Sequence, residues 1–453
     1  MANNENKMGN RPIFPLLMSM AFPAMLSMFI QSMYNIVDSM FVARISENAL
    51  TAVSLAFPIQ YFILSVGVGT GIGINSLISR YLGKKNIDEA NSTVTHGLLL
   101  AVITGVIFLF LGTFLTKPFF GMFTENPEIL KYGIEYTSIV TIFSIFSIIH
   151  IAIEKILQAT GNMIYPMIFQ AVGAIVNIIL DPIMIFGLLG FPELGVSGAA
   201  IATVIGQFVS MLLSIIVLIT QKHDIKIKTK GFKPNLSTIK KIYAVGFPSI
   251  IMMSLSSLLV MGLNKILIGL SEIAVSVFGI YFKLQSFVFM TVSGLSQGAM
   301  PIMGYNYGAG NRSRLTKTLK ASLAVSIAIM LIGSAIFLIF PKELLLLFKA
   351  SDEMLKIGIP ALRIISTSYF AAAFGFIFST FFQAIGKGSY SLFISLIRQI
   401  IIILPLAYIL AKPLGLVGVW ITFPIMEIAG AAVSLILYAK IRKKLPDNKK
   451  VDN

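Results

Sequence analysis

Apolar runs of 20 or more residues recur from Ile13 to Ala439, broken by short stretches of Gly, Pro and charged residues, with no polar segment of domain size between them. A hydrocarbon core roughly 30 Å thick demands helices of that length, so the pattern predicts a polytopic helical membrane protein. The punctuation places twelve helices, over 13–42, 52–79, 92–116, 132–157, 164–188, 197–221, 238–267, 275–303, 316–340, 358–382, 388–411 and 417–441. The polar N-terminus, Met1 to Arg11, precedes an apolar run too long for a signal-peptide core, so that run should stay attached as the first span.

The twelve spans form a repeat. Phe22-Pro23 matches Phe247-Pro248 at an offset of 225, and Ile45-Ser46-Glu47 matches Leu270-Ser271-Glu272 at the same offset. Gln60 and Gln285, Gly83 to Asn86 and Gly308 to Asn311, and Gln158 to Gly161 and Gln383 to Gly386 keep that register. After a short deletion, Leu194-Gly195-Val196-Ser197-Gly198 matches Leu414-Gly415-Leu416-Val417-Gly418 at an offset of 220. The expected fold class is an all-α membrane protein of two six-helix repeats. Because each half holds an even number of spans, the repeats run parallel, an arrangement transporters use to build a central cavity between two bundles. The expected domains are an N-terminal lobe over 1–221, a cytoplasmic linker over 222–237 and a C-terminal lobe over 238–453.

Composition sharpens the class. Of the 453 residues 56% are hydrophobic and 12% charged, about half the charge of an average soluble domain. The net charge of +16 raises the question of a nucleic-acid partner, and its distribution answers it. The odd-numbered loops hold eight basic residues (Arg44, Lys117, Lys131, Lys265, Lys342, Lys349, Lys356 and Lys412), and Lys155, Lys283, Arg363 and Arg398 lie inside or at the ends of spans. The other 23 of 35 sit in the termini and even-numbered loops, with Lys222 to Lys241 the longest basic connection. That asymmetry is the positive-inside bias and puts both termini in the cytoplasm, with the chain multi-pass in the plasma (inner) membrane. Without cysteine there is no disulfide framework and no thiolate metal site, and His96, His150 and His223 are too scattered for a metal cluster. No Walker motif is present; Gly67 to Gly73 lies in mid-helix and reads as close helix packing.

Ionisable residues inside spans are costly and therefore candidates for function. Asp38 in the first span and Asp181 in the fifth map onto Leu263 and Leu406 of the second half, while Asn35 and Asn177 map onto Val260 and Ile402. The polar groups thus exist in one half only, which suggests a cation site in the N-terminal lobe. Gln31, Asn35 and Asp38 fall on one helix face, and Asn177 and Asp181 are one turn apart. Pro182 cannot donate, so the carbonyl of Ile178 loses its helical partner. Two carboxylates, an amide and a freed carbonyl suit Na⁺ or a shared proton; the alternative is two carboxylates solvated separately in an aqueous cavity. His150, Glu154 and Gln158 form a second stripe, either a proton relay or part of a cavity wall, or else Glu154 pairs with the adjacent Lys155. Lys283 is a cavity residue or a charge partner for Glu427, and Arg363 and Arg398 read as snorkelling or helix-end charges. Pro23 permits a bend before Asp38 and is a candidate hinge. Many of the 35 Phe and 22 Met serve lipid contact and packing, and a Phe/Met-lined cavity would adapt to varied apolar cations.

These residues together resemble a known family. Phe22-Pro23 and Phe247-Pro248, Asn177 to Pro182, Gly195 to Thr203, Gln158 to Gly161, and Tyr281 to Gln285 through Gly304 to Gly308 are similar to the multidrug and toxic compound extrusion (MATE) family, and within it to the DinF-like branch. The resemblance covers nearly the whole chain. It implies no enzyme and no cofactor, but secondary active efflux of hydrophobic organic cations, exchanged for Na⁺ or H⁺ by alternating access, by a protein working as a monomer in the lipid bilayer. Carried over residue by residue, it implies a cation site at Asp38, Asn177 and Asp181 with Thr203. Leu263 and Leu406 depart from the branch that keeps acidic residues in the second lobe. The competing function is a flippase for lipid-linked precursors or polysaccharides on the same broad fold; a membrane-embedded enzyme would need paired catalytic groups near one surface, which the sequence does not offer.

Overall fold

The computed structural model describes residues 6–228 and 231–445. Lys230 of the linker and Lys449 and Lys450 of the basic tail, used above in the charge argument, lie outside the described residues. The helices of the first half are α1 Lys7–Asn10, α2 Ile13–Ala43, α3 Glu47–Gly83, α4 Ile87–Phe114, α5 Thr116–Gly121, α6 Pro127–Ile142, α7 Ile145–Ala159, α8 Ile164–Phe186 and α9 Gly195–Thr220. Those of the second half are α10 Leu236–Ile268, α11 Glu272–Gly308, α12 Arg312–Ile339, α13 Pro341–Leu346, α14 Asp352–Ser366, α15 Tyr369–Ala384, α16 Gly388–Leu396 and α17 Ile403–Arg442, the last two joined by a π-turn over Ile397–Ile402.

Among the described residues nine helices are long and apolar enough to cross a membrane, and the bent pairs α6–α7 (44°) and α14–α15 (51°) bring the number to eleven. The run Gly388–Arg442 has 55 residues, about 80 Å of helix and far more than one crossing needs. It is broken at Gly415, whose φ of 58° and ψ of −138° leave the helical region. Two spans therefore meet there, and the expected twelve are complete.

The repeat is visible in local geometry. Asn86 caps α4 by accepting the Glu89 N–H, and Asn311 caps α12 by accepting the Arg314 N–H, both with ψ near 80°. Gly161 and Gly386 turn the chain with φ of 88° and 82°. Gly195 opens α9 with φ 54° and Gly415 opens the last span with φ 58°, the 220 offset of the sequence. Glycine enters such conformations at least cost, having no Cβ. The five residues missing from the second half belong to the loop that carries Leu188–Gly190 as a 3-10 turn in the first.

Two compact units result. One, the N-unit, comprises Leu26–Leu82 and Asn86–Gly246; the other, the C-unit, takes residues 6–25, 83–85 and 247–445. Their limits differ from the sequence halves 1–221 and 238–453. The change of unit falls next to Pro23 in α2 and Pro248 in α10, so α2 up to Met25 belongs to the C-unit and the start of α10, up to Gly246, to the N-unit. In the C-unit, α1 is fixed by Arg314, whose Nη2 donates to the carbonyls of Met8 (3.1 Å) and Arg11 (2.7 Å), and by Asn306, which donates to Met8 O at 3.0 Å. Its core packs Leu263, Phe278, Tyr281, Phe337, Tyr369, Trp420 and Phe423. The N-unit core joins Val42, Ala49, Ala56, Phe120, Tyr136 and Ala199 from its α2, α3, α5, α6 and α9 segments. Phe110, Phe114, Ile216, Ile219, Ile332, Ile339, Ile428 and Ile436 are exposed large apolar side chains, as the hydrocarbon face of a membrane protein requires.

No neighbour stands within 4 Å of a Cβ at Gly415, so its backbone alone opposes substitution. Gly415→Ala should destabilise the protein by about 1–3 kcal/mol, read as a lower Tm in detergent, whereas Gly279→Ala, with equally open space in mid-helix, should hold or raise it.

Candidate functional site

The N-unit site is built where α8 and α9 approach closely. A Cβ at Gly206 would lie 2.7 Å from the Gly173 carbonyl and 3.2 Å from Asn177 Cβ, so only the bare backbone allows this separation. Ser210 strengthens the contact by donating to Phe169 O at 2.9 Å. Across this seam the Asn177 amide nitrogen donates to Asp181 Oδ1 (3.3 Å) within α8 and to Thr203 Oγ1 (3.3 Å) on α9. From α2, the Tyr34 hydroxyl approaches Thr203 Oγ1 at 3.5 Å. Asp181 is fully buried, Asn177 is 1% exposed and Asp38 is 8% exposed.

Three acceptors in this cluster are buried without a partner: Asp38 Oδ1, Asn177 Oδ1 and Asp181 Oδ2. Asp38 and Asp181 lie within electrostatic reach of one another, and among the described residues no basic side chain contacts either. Buried acceptors cost free energy unless something donates to them or is coordinated by them. A set of hard oxygens, two of them from carboxylates, fits Na⁺ or protons and lacks the imidazole or thiolate donors that transition metals favour.

Asp38, Asn177, Asp181 and Thr203 thus share one neighbourhood. Asn35 makes no hydrogen bond to them: it is exposed, and its backbone carbonyl accepts the Ser39 hydroxyl. Gln31 is half-buried and makes no contact with the carboxylates. The helical spacing that put all three on one face ignored that the face is wider than the site. Tyr34 and Tyr136 were missed. Tyr136 accepts from Gln60 Nε2 at 3.0 Å and lies within electrostatic reach of both carboxylates. The spacing Tyr34–Asp38, one turn apart, carried the signal for the first; nothing in the sequence pointed to the second, which sits on α6. In the C-unit the mirrored positions are apolar: Leu263 and Phe423 are buried and Leu406 is half-buried.

The stripe on α7 is a closed polar knot. Glu154 Oε1 accepts from Lys155 Nζ (2.9 Å) and Gln158 Nε2 (2.8 Å), Lys155 also reaches Gln158 Oε1 at 3.1 Å, and His150 Nε2 stands 3.8 Å from Glu154 Oε2. Pairing with Lys155, one of the two alternatives, is what the fold selects. Gly71 makes room for it, since a Cβ there would lie 2.6 Å from Lys155 Cγ.

Two expectations are corrected. Glu427 does not pair with Lys283, which is exposed. Its partner is Arg398, expected to snorkel but in fact buried, through Nε–Oε2 (2.8 Å) and Nη2–Oε1 (2.7 Å). The guanidinium sits 5.3 Å from the Phe376 ring centroid, and a Cβ at Gly375 would stand 2.5 Å from its Nη1. Sequence distance hid the pair, because it spans 29 residues and depends on the π-turn that carries Arg398. Arg363, also expected at a helix end, is exposed in the last turn of α14 and donates to Leu338 O at 3.3 Å. Pro23 lies inside α2 as expected.

Twelve spans in two repeats, with carboxylates buried unpaired inside one of them, define a membrane transporter rather than an enzyme. Comparison with known proteins agrees. The MatE family model matches residues 23–183 and 248–409, one match per repeat. The chain belongs to the MatE family. It is 26% identical to the multidrug export protein MepA of Staphylococcus haemolyticus (strain JCSC1435) over 438 residues, 96% of each chain, and 25% identical to MepA of Staphylococcus aureus (strain MRSA252), over 96% of this chain and 95% of that one. Among solved structures it resembles an outward-facing multidrug resistance MATE transporter of the MOP superfamily (TM-score 0.92, 26% identity, 98% of this chain and 99% of that one). A MOP superfamily transporter from Pyrococcus furiosus Vc1 (DSM3638) is similar at a TM-score of 0.91, with the same identity and coverage.

Removing one member of a buried ion pair leaves the other uncompensated. Glu427→Leu and Arg398→Met should each cost about 3–5 kcal/mol, and Arg398→Met/Glu427→Leu should recover most of it. Thermal unfolding of the four proteins in one detergent closes the cycle.

Proposed function

We propose that the chain is a secondary active multidrug exporter that exchanges hydrophobic organic cations for Na⁺ or H⁺ by alternating access. The reading rests on the buried acceptors of Asp38, Asn177 and Asp181. Two nearby carboxylates without a basic partner are neutralised by a proton or a small cation, and a site so placed responds to the gradient of that ion. Thr203 and Tyr34 orient Asn177, while Gln60 orients Tyr136 beside the carboxylates. One charge crossing 100 mV releases about 2.3 kcal/mol, which sustains roughly a 40-fold concentration ratio. Ion entry stabilises one conformation and ion release the other, so a substrate that prefers the ion-free form is moved by differential affinity alone.

The relatives' names support the cargo: several are multidrug export proteins. The DinF-like pattern supports the N-terminal placement, because the C-unit offers Leu263 and Phe423 in the corresponding places. The charge asymmetry supports cytoplasmic termini in a plasma membrane, and a site drawn from one chain supports a working monomer.

Efflux of a fluorescent lipophilic cation from proteoliposomes, with Na⁺ and pH gradients imposed separately, tests the reading. One gradient should stimulate efflux in the parent, and Asp181→Asn or Asp38→Asn should reduce that stimulation at least tenfold without changing Tm by more than a few degrees. Wild-type stimulation in both variants would remove the site from coupling. Stimulation by neither gradient, together with movement of a lipid-linked saccharide, would make the chain a flippase. If Na⁺ is the ion, added NaCl should also raise the parent Tm above that in choline chloride, and Asp181→Asn should abolish the difference.

A further inference from the structure

The connection between the repeats is docked onto α4, and a histidine accepts one of the docking bonds. Lys226 N–H donates to Asn91 Oδ1 at 2.6 Å and Lys228 N–H donates to Thr95 Oγ1 at 2.9 Å. The third bond comes from Asn235 N–H, which donates to His96 Nε2 at 2.7 Å. Asn91, Thr95 and His96 thus present three acceptors along one side of α4, near its start, and Phe232 of the same connection packs edge-on against the His96 ring with centroids 4.8 Å apart. His96 is completely buried, although no step of the proposed transport uses it.

The ring's two nitrogens have opposite roles that the geometry fixes. Nδ1 lies 2.7 Å from the Ser92 carbonyl, an acceptor, so Nδ1 carries the hydrogen. Nε2 accepts the Asn235 N–H, so it carries none. The docked state therefore holds one neutral tautomer. In imidazolium both nitrogens are donors, and Nε2–H would face the Asn235 N–H across 2.7 Å with no acceptor between them. Nothing compensates the charge: the polar groups on the ring are Ser92 and Asn235, Phe232 offers an edge, and no carboxylate of α4 or of the connection contacts it among the described residues. The titratable residues nearest along α4 are Asp88 and Glu89 in its first turn, and those described in the connection are Lys222, His223, Asp224, Lys226, Lys228 and Lys233; on the helices packed against α4, Arg80 of α3, Lys117 of α5, Lys131 of α6 and His150, Glu154 and Lys155 of α7 make no bond to the ring.

We propose that His96 is a pH-operated latch: neutral, it holds the inter-repeat connection on α4, and protonated, it releases the Asn235 end. Histidine changes charge in the range where compartments acidify, and release lengthens the free part of the chain that joins the repeats. The inference does not depend on what the protein carries or on which ion drives it.

Backbone hydrogen exchange of the full-length protein in nanodiscs, corrected for intrinsic rates, tests it at pH 7.5 and 5.5. In the parent, protection of the Asn235 amide should fall several-fold, up to about tenfold, at pH 5.5. His96→Gln places a carbonyl oxygen near the Nε2 position and should keep protection equal at both pH values, while His96→Ala should lack it at both. Equal protection of the parent at both pH values, or full protection in His96→Ala, would overturn the latch. If His96→Ala does not fold, the parent and His96→Gln decide the matter between them, since a fall of the same size in both would exclude His96 as the titrating group.

Discussion

A charge inside a bilayer has to be answered by something, and the ways in which this chain answers its charges organise the structure. In the C-unit, Arg398 and Glu427 neutralise one another in a two-bond pair that Gly375 makes room for. On α7, Glu154 is neutralised by Lys155 and held by Gln158. Asp38 and Asp181 are the exception: they are buried with acceptors left open and no basic partner. Had they been paired like the other two, they would be structural. Because they are not, among the described residues, they carry the proposal that a proton or small cation from outside the chain neutralises them.

The duplicated scaffold explains how one half came to hold this chemistry without loss of fold. Caps at Asn86 and Asn311, turns at Gly161 and Gly386, and breaks at Gly195 and Gly415 are backbone features that either half needs in order to turn its helices back across the membrane. Side chains at matching places are free to differ. Thus Thr203 stands where Phe423 does, and Asp38 where Leu263 does, so one unit buries a cluster of polar oxygens and the other an aromatic and aliphatic core.

Most of the architecture was legible because the bilayer enforces it: span length, the even number of spans, the repeat offset and the loop charges all follow from hydrocarbon thickness and the cost of moving charge across it. The candidate carboxylates were legible for the same reason, since ionisable residues in apolar runs are rare. Less was legible where three-dimensional partners decide. Arg398 looked like a snorkelling or helix-end charge, Lys283 like a cavity residue or a partner of Glu427, and Asn35 shared a helix face with Asp38 by spacing alone. Each outcome depended on which helix lies opposite, and periodicity describes only a helix's own faces.

By itself, then, the sequence determined the class of the protein, its twelve crossings, its internal repeat and the polar residues that had to matter, because the membrane penalises each of these in a local and countable way. Only the tertiary structure decided that Asn177 bridges Asp181 and Thr203, that Tyr136 stands beside the carboxylates, that Arg398 takes Glu427, and that His96 holds the connection between the repeats. Apart from Asn177–Asp181, one turn apart on α8, those pairings join residues on different elements, from 26 to 139 positions apart, and the distance between side chains on separate helices is set by packing, which no pattern along the chain encodes.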